Sequence, residues 1–192
     1  MSGRTYLTGL GRLLEMVEAS GADGQEVSID AAIDSAVDMV LGVRDADKKA
    51  MLVGNGGSAA LVSHMQNDLC NGVGVRAIVF TEQPMLTALA NDHGYDAVFR
   101  KPVEMWAEPR DLLVAVSSSG ESKSIITAVD AARAKGCRIL TMSGFKPGNC
   151  LRQRGHLNFY VPHSTYGYVE MTHAILLHCV ADFAMMRKPG QA

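Results

Sequence analysis

Two short turns rich in glycine and serine are the segments of this chain whose residue types could bind an anion. The first, residues 54–58, joins the apolar run 50–53 to the apolar run 59–62. A buried strand that turns through glycines into a helix leaves backbone N–H groups unpaired at the positive end of the helix dipole, where phosphate binds readily. We therefore expect four residues of this turn to contact a phosphate ligand: Asn55, Gly56, Gly57 and Ser58.

The second turn, residues 117–122, follows the apolar run 112–116 and contains four serines. A lone serine here would be read as a helix cap. Four hydroxyls in six residues favour a ligand site, since a phosphate dianion can be held by several neutral donors without a lysine. Neither turn has the dinucleotide or P-loop pattern. The two turns together predict a sugar phosphate as ligand, and the predicted contacts in the second are Ser117, Ser118, Ser119 and Ser122.

His64 and Asp68 are four residues apart on the helix that should follow the first turn. This spacing places both side chains on one face, one turn apart, and the same spacing builds two-ligand metal sites on helices. The alternative interpretation is an exposed ion pair that stabilises the helix.

Glu170, His173 and His178 lie in the predicted last helix. Glu170 and His173 share a face, but Glu170 and His178 are separated by a rise of about 12 Å on an ideal helix. One ion could contact both only through a distorted helix start or a second subunit. Imidazole and carboxylate ligands suit zinc or a similar divalent ion. Because Leu177 and Cys179 flank His178, a core histidine is the alternative for that residue.

Asn91 and Asp92 close another predicted helix. They could form a polar wall of a pocket beyond the second strand, or they could simply belong to a capped loop.

From residue 49 the chain alternates strand, turn and helix. This pattern predicts an α/β fold with a five-stranded parallel sheet flanked by helices, and ligands then bind beyond the carboxyl ends of the strands. Two additional helices, over residues 5–19 and from Ser28 onward, precede the sheet. Their apolar stripes pack either on the domain or on copies of the chain. The predicted strands are 51–53, 77–80, 112–116, 138–142 and 158–161, and the predicted helices are 58–70, 83–92, 95–106, 122–135, 149–154 and 168–187.

Composition sets the class of protein. The 192 residues, 47% of them apolar and 20% charged, suit one globular α/β domain over residues 1–192. A net charge of −2 without a basic stripe does not favour nucleic acid as a ligand. The sequence shows neither an apolar run that could cross a bilayer nor a signal-peptide core, and its four cysteines are scattered. We therefore expect a cytoplasmic protein with no membrane partner.

These motifs resemble the sugar isomerase (SIS) domain family, and within it the phosphoheptose isomerase branch. The matching residues are the two turns, His64, the segment 86–92 with Gly94, and the Glu170-x-x-His173 pair followed by His178. The resemblance covers nearly the whole chain. It implies a flavodoxin-like three-layer sandwich and the conversion of sedoheptulose 7-phosphate to D-glycero-D-manno-heptose 7-phosphate, for surface-polysaccharide heptose biosynthesis.

The resemblance also implies roles. Serines of the two turns hold the phosphate or the sugar, Asp68 and His178 are the acid/base pair, and Glu170 contacts the substrate. One zinc ion per subunit is bound by His64, Asp68, Glu170 and His178. The family forms homotetramers with active sites at subunit interfaces, in which the helical pair of residues 1–45 serves oligomerisation. Ketose–aldose conversion moves a proton between C1 and C2 through an enediol, which a carboxylate and an imidazole can perform.

Two positions depart from the family pattern, which has glutamate in place of Asp68 and glutamine in place of Glu170. Misplacing a catalytic group by about 1 Å can cost on the order of a hundredfold in rate, and the two changes could compensate for each other. Two alternatives stay open: an SIS isomerase for another sugar phosphate, and a non-catalytic regulatory SIS protein that binds a replication initiator.

Overall fold

The structure, a computed structural model, describes residues 2–187, so residues 1 and 188–192 of the predicted domain lie outside it. One mixed sheet of seven strands is covered by helices on both faces. The strands are β1 (Glu18–Gly21), β2 (Glu26–Val27), β3 (Lys49–Gly54), β4 (Arg76–Val79), β5 (Leu112–Ser117), β6 (Arg138–Gly144) and β7 (Leu157–Val161). The α-helices are α1 (Gly3–Glu15), α2 (Ile29–Asp45), α3 (Gly57–Asn67), α4 (Gln83–His93), α5 (Arg100–Trp106), α6 (Lys123–Ala134) and α7 (Tyr166–Met186).

The strand order is β2-β1-β7-β6-β5-β3-β4. All five strands predicted from the sequence are present and pair in parallel, so the predicted class of fold is confirmed. Numbered along the chain, these five have the flavodoxin-like order, whose direction reverses between β3 and β5. The two glycine/serine turns follow those two strands, and they therefore meet at the topological switch point.

Each face of the sheet buries its own apolar core, because successive side chains of a strand point to opposite faces. Leu52 and Val114 belong to the core beneath α2, α3 and α7. Met51 and Leu113 belong to the core beneath α4, α5 and α6. Strands buried on both sides explain the nearly continuous apolar runs of the sequence.

The sheet has two strands more than the five predicted, because the end of the predicted helix 5–19 is extended. Helix α1 ends at Glu15, and β1 and β2 form a hairpin that pairs antiparallel with β7. Gly24, with a φ of 78°, forms the turn of the hairpin. Val17 and Ala19 are buried there. The apolar spacing continued from the helix into the strand, so the pattern alone did not reveal the boundary.

The two N-terminal helices are packed differently. Helix α2 buries its apolar stripe, including Ile33, Val37 and Val40, in the core of its own domain. Helix α1 lies on the start of α7, where the Tyr168 hydroxyl donates to the Tyr6 carbonyl at 3.0 Å. The packing of α2 is thus satisfied within one subunit, whereas α1 leaves Leu7 exposed on a mostly polar outer surface.

Two predicted helices are interrupted. The segment 95–106 is a 3₁₀ turn, Tyr95–Ala97, followed by α5. Pro102 explains the new start, because proline lacks an N–H and fits only the first turn of a helix. Within the predicted helix 58–70, α3 ends at Asn67, and the π-helical segment Asp68–Val73 follows it. Residues of the predicted helix 149–154 form only a 3₁₀ turn, Leu151–Gln153.

Helix α7 is the one helix within residues 2–187 that is long and apolar enough, by composition alone, to cross a membrane. Residues such as Val169, Val180 and Ala181 are fully buried against the rest of the domain. A core helix of a globular domain has the same composition, so this property does not distinguish the two cases.

Candidate active site

Helices α3 and α7 lie side by side and run in the same direction. Gly57, at the start of α3, contacts Glu170. Further along, Leu61 and Ala174 line one small cavity, which His64, Asp68 and His178 also line. The helix pair therefore carries two groups of polar residues. One lies at the glycine turn, and the other lies around His64, about 10 Å further along α3.

The first turn is shaped by close packing and by two hydrogen bonds of Asn55. A Cβ on Gly54 would lie 2.7 Å from the Ser58 backbone, so a side chain there cannot be accommodated. The Asn55 side chain donates to Ser124 Oγ at 2.9 Å and accepts from the Tyr95 hydroxyl at 2.9 Å. No side chain caps the start of α3. The turn therefore holds the helix N-terminus open for an anion.

The second turn is held by hydrogen bonds and by close packing against Asn149. Ser117 and Ser122 share a hydrogen bond between their hydroxyls at 3.1 Å, and Ser117 Oγ also accepts from the N–H of Gly120. Gly120 has a φ of 67°, and a Cβ there would lie only 1.9 Å from Oδ1 of Asn149. The fully buried Asn149 donates to the Gly144 carbonyl at 3.1 Å. Only glycine fits this position.

The two turns enclose a cavity of about 240 Å³. Among residues 2–187 its lining contains no lysine, arginine or histidine, so any anion there would rely on hydroxyls, backbone N–H groups and the N-termini of α3 and α6. The buried Oγ of Ser118 has no hydrogen-bond partner within residues 2–187. A buried hydroxyl without a partner is unusual, and a bound ligand would supply one. The cavity is lined by Asn55, Gly56, Gly57, Ser58, Val116, Ser117, Ser118, Ser119, Ser122, Tyr166 and Glu170.

Glu170 supplies the carboxylate of this cavity. A Cβ on Gly57 would lie 2.5 Å from its Oε1 and 2.7 Å from its Oε2, so the carboxylate lies directly against the first residue of α3. Within residues 2–187, no ion pair involves Glu170.

The second polar group is a cluster of His64, Asp68 and His178. Oδ2 of Asp68 lies 3.5 Å from Nε2 of His64 and 3.5 Å from Nδ1 of His178. The imidazoles are 60% and 52% exposed, respectively, whereas the carboxylate is only 18% exposed. The cluster is thus anchored on its carboxylate side and open on its imidazole side.

This cluster fits a metal ion in both chemistry and spacing. Its ligand atoms all lie within 4.8 Å of one another. Tetrahedral zinc with bonds of about 2.0–2.2 Å holds its ligands roughly 3.3–3.6 Å apart. The two distances from Oδ2 of Asp68 to the imidazole nitrogens lie in that range and exceed an ordinary hydrogen bond. Glu170, the fourth ligand expected from the sequence, is not part of the cluster in the same subunit.

The two histidines of α7 have opposite environments. His178, for which the sequence left a core position open, is exposed. His173 is fully buried, and its Nε2 lies 3.1 Å from the Ser143 carbonyl while its Nδ1 has no partner among the described residues. Burial lowers the pKa of His173 to about 4, so the ring is neutral at physiological pH and Nε2 donates to that carbonyl.

Asn91 and Asp92 lie near the end of α4 and bond to each other, Nδ2 to Oδ1, at 2.8 Å. Both are exposed, and neither lines the serine cavity. From this region, Tyr95 contacts the cavity lining instead, because its hydroxyl donates to Asn55. Sequence reasoning missed Tyr95, Tyr166 and the support from Asn149. Only the position of Tyr95 directly after Gly94 offered a signal.

Comparison with known proteins identifies the family. The SIS domain family matches residues 12–144. The phosphoheptose isomerase of Citrifermentans bemidjiense is 33% identical over 157 residues, which cover 79% of this chain and 81% of the relative. That of Shewanella denitrificans is 31% identical over 184 residues, which cover 88% and 94%.

A solved structure agrees with these relatives. The phosphoheptose isomerase from Neisseria gonorrhoeae superimposes with a TM-score of 0.81 at 26% identity, covering 94% of this chain and 96% of that chain. The agreement extends over nearly the whole chain, and together with the relatives it confirms the family predicted from the two turns and the histidines. The chain therefore belongs to the SIS domain family, on its phosphoheptose isomerase branch, and is a sugar-phosphate isomerase.

Proposed function

We propose that this isomerase interconverts sedoheptulose 7-phosphate and D-glycero-D-manno-heptose 7-phosphate in the cytoplasm, for surface-polysaccharide heptose biosynthesis. The observation that carries the proposal is the pairing, along α3 and α7, of a serine cavity free of cationic side chains with a carboxylate–imidazole cluster. The relatives named above are phosphoheptose isomerases, which supports this substrate over a shorter sugar phosphate.

The serine cavity would bind the phosphate. Ser58, Ser118 and Ser119 offer hydroxyls, and the N-terminus of α3 offers unpaired N–H groups. The positive ends of α3 and α6 both favour negative charge here. Because the donors are neutral and fixed by packing, the phosphate is oriented without a long, mobile side chain. Asn91 and Asp92, outside this cavity, would contact the sugar only if an adjoining subunit extends the site.

Asp68 and His178 would move the protons. The reaction removes a proton from one of the carbons C1 and C2, delivers one to the other, and exchanges protons on the two oxygens. A carboxylate and an imidazole in contact can divide these tasks, one acting on carbon and the other on oxygen. The side chain of Asp68 is only 18% exposed, and this burial keeps its carboxylate in one orientation.

Zinc is the proposed cofactor, held by His64, Asp68 and His178, with Glu170 of a second subunit as the fourth ligand. When bound, the ion would polarise the substrate carbonyl and favour the enediolate. The uninterrupted helix α7 supports a ligand from another subunit, since Glu170 and His178 are about 12 Å apart along it.

A homotetramer with active sites at its interfaces would bring Glu170 of one subunit to the metal cluster of another. Helix α7 exposes large apolar side chains, namely Met171, Ile175, Phe183 and Met186, and α1 exposes Leu7. Several large apolar side chains exposed on one helix are typical of protein interfaces. Mass measurement by light scattering tests the assembly, and Ile175→Asp should dissociate it.

The activity is tested by supplying the purified protein with sedoheptulose 7-phosphate, with and without added zinc, and following aldose formation by NMR. We expect turnover that exceeds that on pentulose and amino-sugar phosphates. Absence of turnover on the heptulose under both conditions, or faster turnover of another sugar phosphate, would contradict the proposed substrate.

The shared site is tested by complementation. Ser119→Asp places a negative charge in the phosphate cavity, and His178→Ala removes part of the cluster, so each homomeric variant should be inactive. If the cavity and the cluster of one active site come from different subunits, mixed oligomers of the two variants regain activity. Mixed oligomers that remain inactive would place both halves of the site in one subunit.

A further inference from the structure

Glu170 places a carboxylate in the cavity that is proposed to bind phosphate. The lining supplies neutral hydrogen-bond donors around it, and no lysine, arginine or histidine in the described part of the chain lines the cavity to compensate its charge. Its carboxylate lies against Gly57 at the N-terminus of α3, where the helix dipole favours negative charge. Glu170 therefore occupies part of the field that an incoming phosphate would use.

Gly57 shows that the fold provides room for this side chain. Any Cβ at position 57 would overlap the carboxylate, whose three terminal atoms lie 2.5–2.7 Å from the Cβ position. Glu170 projects from the first turns of α7, a continuous helix whose neighbouring residue Val169 is fully buried. The carboxylate is thus held beside the serines by a rigid element and does not belong to a mobile loop.

The charge of Glu170 has opposite effects on two kinds of anion. Inorganic phosphate is repelled by the negative charge of Glu170 in a partly desolvated cavity, and this repulsion weakens its binding. A phosphate ester that carries hydroxyl groups meets the same repulsion, but its hydroxyls can donate charge-assisted hydrogen bonds to the carboxylate. The buried, unpartnered hydroxyl of Ser118 shows that the cavity still offers a donor to the phosphate end.

We propose that Glu170 is a specificity-determining residue that makes this cavity select polyhydroxylated phosphate esters over inorganic phosphate. The inference rests on the proposed role of the serine cavity as the phosphate site, and it describes the metal-free protein, because zinc bound to Glu170 would compensate the charge of the carboxylate. It concerns which phosphate compounds enter the cavity, and it is independent of the reaction that follows. Free phosphate would otherwise compete well for a cavity whose donors are all neutral.

The experiment measures two dissociation constants by calorimetry at pH 8, where phosphate is a dianion, in buffer containing EDTA. The probes are inorganic phosphate and sorbitol 6-phosphate, which has hydroxyls but no carbonyl and cannot be isomerised. Glu170→Gln removes the charge and keeps the shape and a hydrogen-bonding group. Glu15→Gln removes one charge from the exposed end of α1 and serves as the matched control.

We expect the unmodified protein and Glu15→Gln to bind sorbitol 6-phosphate at least tenfold more tightly than inorganic phosphate. In Glu170→Gln the ratio should shrink about tenfold, mainly because inorganic phosphate binds more tightly. An unchanged ratio, or weaker phosphate binding by the variant, would overturn the inference and leave the proposed function intact. If neither probe binds any of the three proteins, the serine cavity is not a phosphate site, and both proposals fall.

Discussion

Oδ2 of Asp68 lies 3.5 Å from Nδ1 of His178, although one residue follows α3 and the other lies in the middle of α7. The two side chains meet because the helices run side by side in the same direction. A π-helical segment begins at Asp68, and such segments frequently occur at functional sites.

Replacing His178 tests the acid–base pair. His178→Ala should lower kcat about 10²–10⁴-fold, because general acid–base catalysis contributes on that order. The thermal transition should hardly move, since the imidazole is about half exposed. Steady-state kinetics and a melting curve of the same sample separate the two effects. Retention of normal kcat in a folded variant would remove His178 from the mechanism.

Replacing Asp68 tests the metal cluster. Asp68→Asn should weaken zinc binding about a hundredfold or more, because even residues outside the ligand shell can cost up to that factor. Competition with a chromophoric chelator measures the affinity directly, without reference to activity. Asp45→Asn removes a carboxylate from an exposed pair with Arg44 and is the matched control. Equal zinc affinity in both variants would show that the cluster does not bind zinc.

His173 should make the fold sensitive to acid. Its pKa is about 4 in the folded protein and about 6.5 when unfolded, because burial disfavours the charged ring. Above pH 6.5 the ring is neutral in both states, and its full contribution to stability is present. As the pH falls towards 4, only the unfolded state gains a proton, so the free energy of unfolding drops by up to roughly 3 kcal/mol.

His173→Gln keeps a donor for the Ser143 carbonyl and removes the titration. Urea unfolding between pH 7 and pH 4.5 should give a flatter decline of the free energy of unfolding for the variant than for the unmodified protein. Parallel declines would mean that other groups cause the acid sensitivity.

The sequence predicted the parts of this protein whose patterns are local. The alternation of strands and helices indicated the five parallel strands, and the turn composition indicated the serine cavity. Helical spacing placed His64 beside Asp68, as observed. The hairpin of β1 and β2 was missed because Val17 and Ala19 continue the apolar spacing of α1. Both side chains are in fact buried in a strand region, where Ala19 pairs with Phe159 of β7.

Contacts between distant segments could not be read from the sequence. Which histidine of α7 is buried depends on the rotation of the helix about its own axis. In the structure His173 faces the core and His178 lies beside Asp68. The contact of Glu170 with Gly57 likewise depends on the register between two helices, which residue spacing within each helix does not define.

Tyr95 should position the first turn without taking part in the chemistry. Its hydroxyl donates to Oδ1 of Asn55, whose amide in turn donates to Ser124. Loss of one neutral hydrogen bond costs about 0.5–1.5 kcal/mol, so Tyr95→Phe should raise KM about three- to tenfold and leave kcat nearly unchanged. Kinetics with the proposed heptulose phosphate measure the split. A fall in kcat at constant KM would instead indicate a direct role for the hydroxyl.

Two glycines with positive φ provide a matched test of the second turn. Gly24 has a φ of 78° and open space around it, whereas Gly120 has a φ of 67° and faces Asn149. Alanine at either position pays a left-handed strain of about 1–2 kcal/mol. Only Gly120→Ala also forces the buried Asn149 to move, which should cost a further roughly 1–3 kcal/mol.

Urea unfolding of the two variants therefore separates backbone strain from crowding. Gly120→Ala should also weaken the binding of sorbitol 6-phosphate, because the serines on both sides of Gly120 line the cavity, while Gly24→Ala should bind it normally. Equal stability and equal binding in the two variants would show that Asn149 yields easily and does not hold the turn. A destabilised Gly120→Ala that still binds the ligand normally would separate the support of the fold from the shape of the cavity.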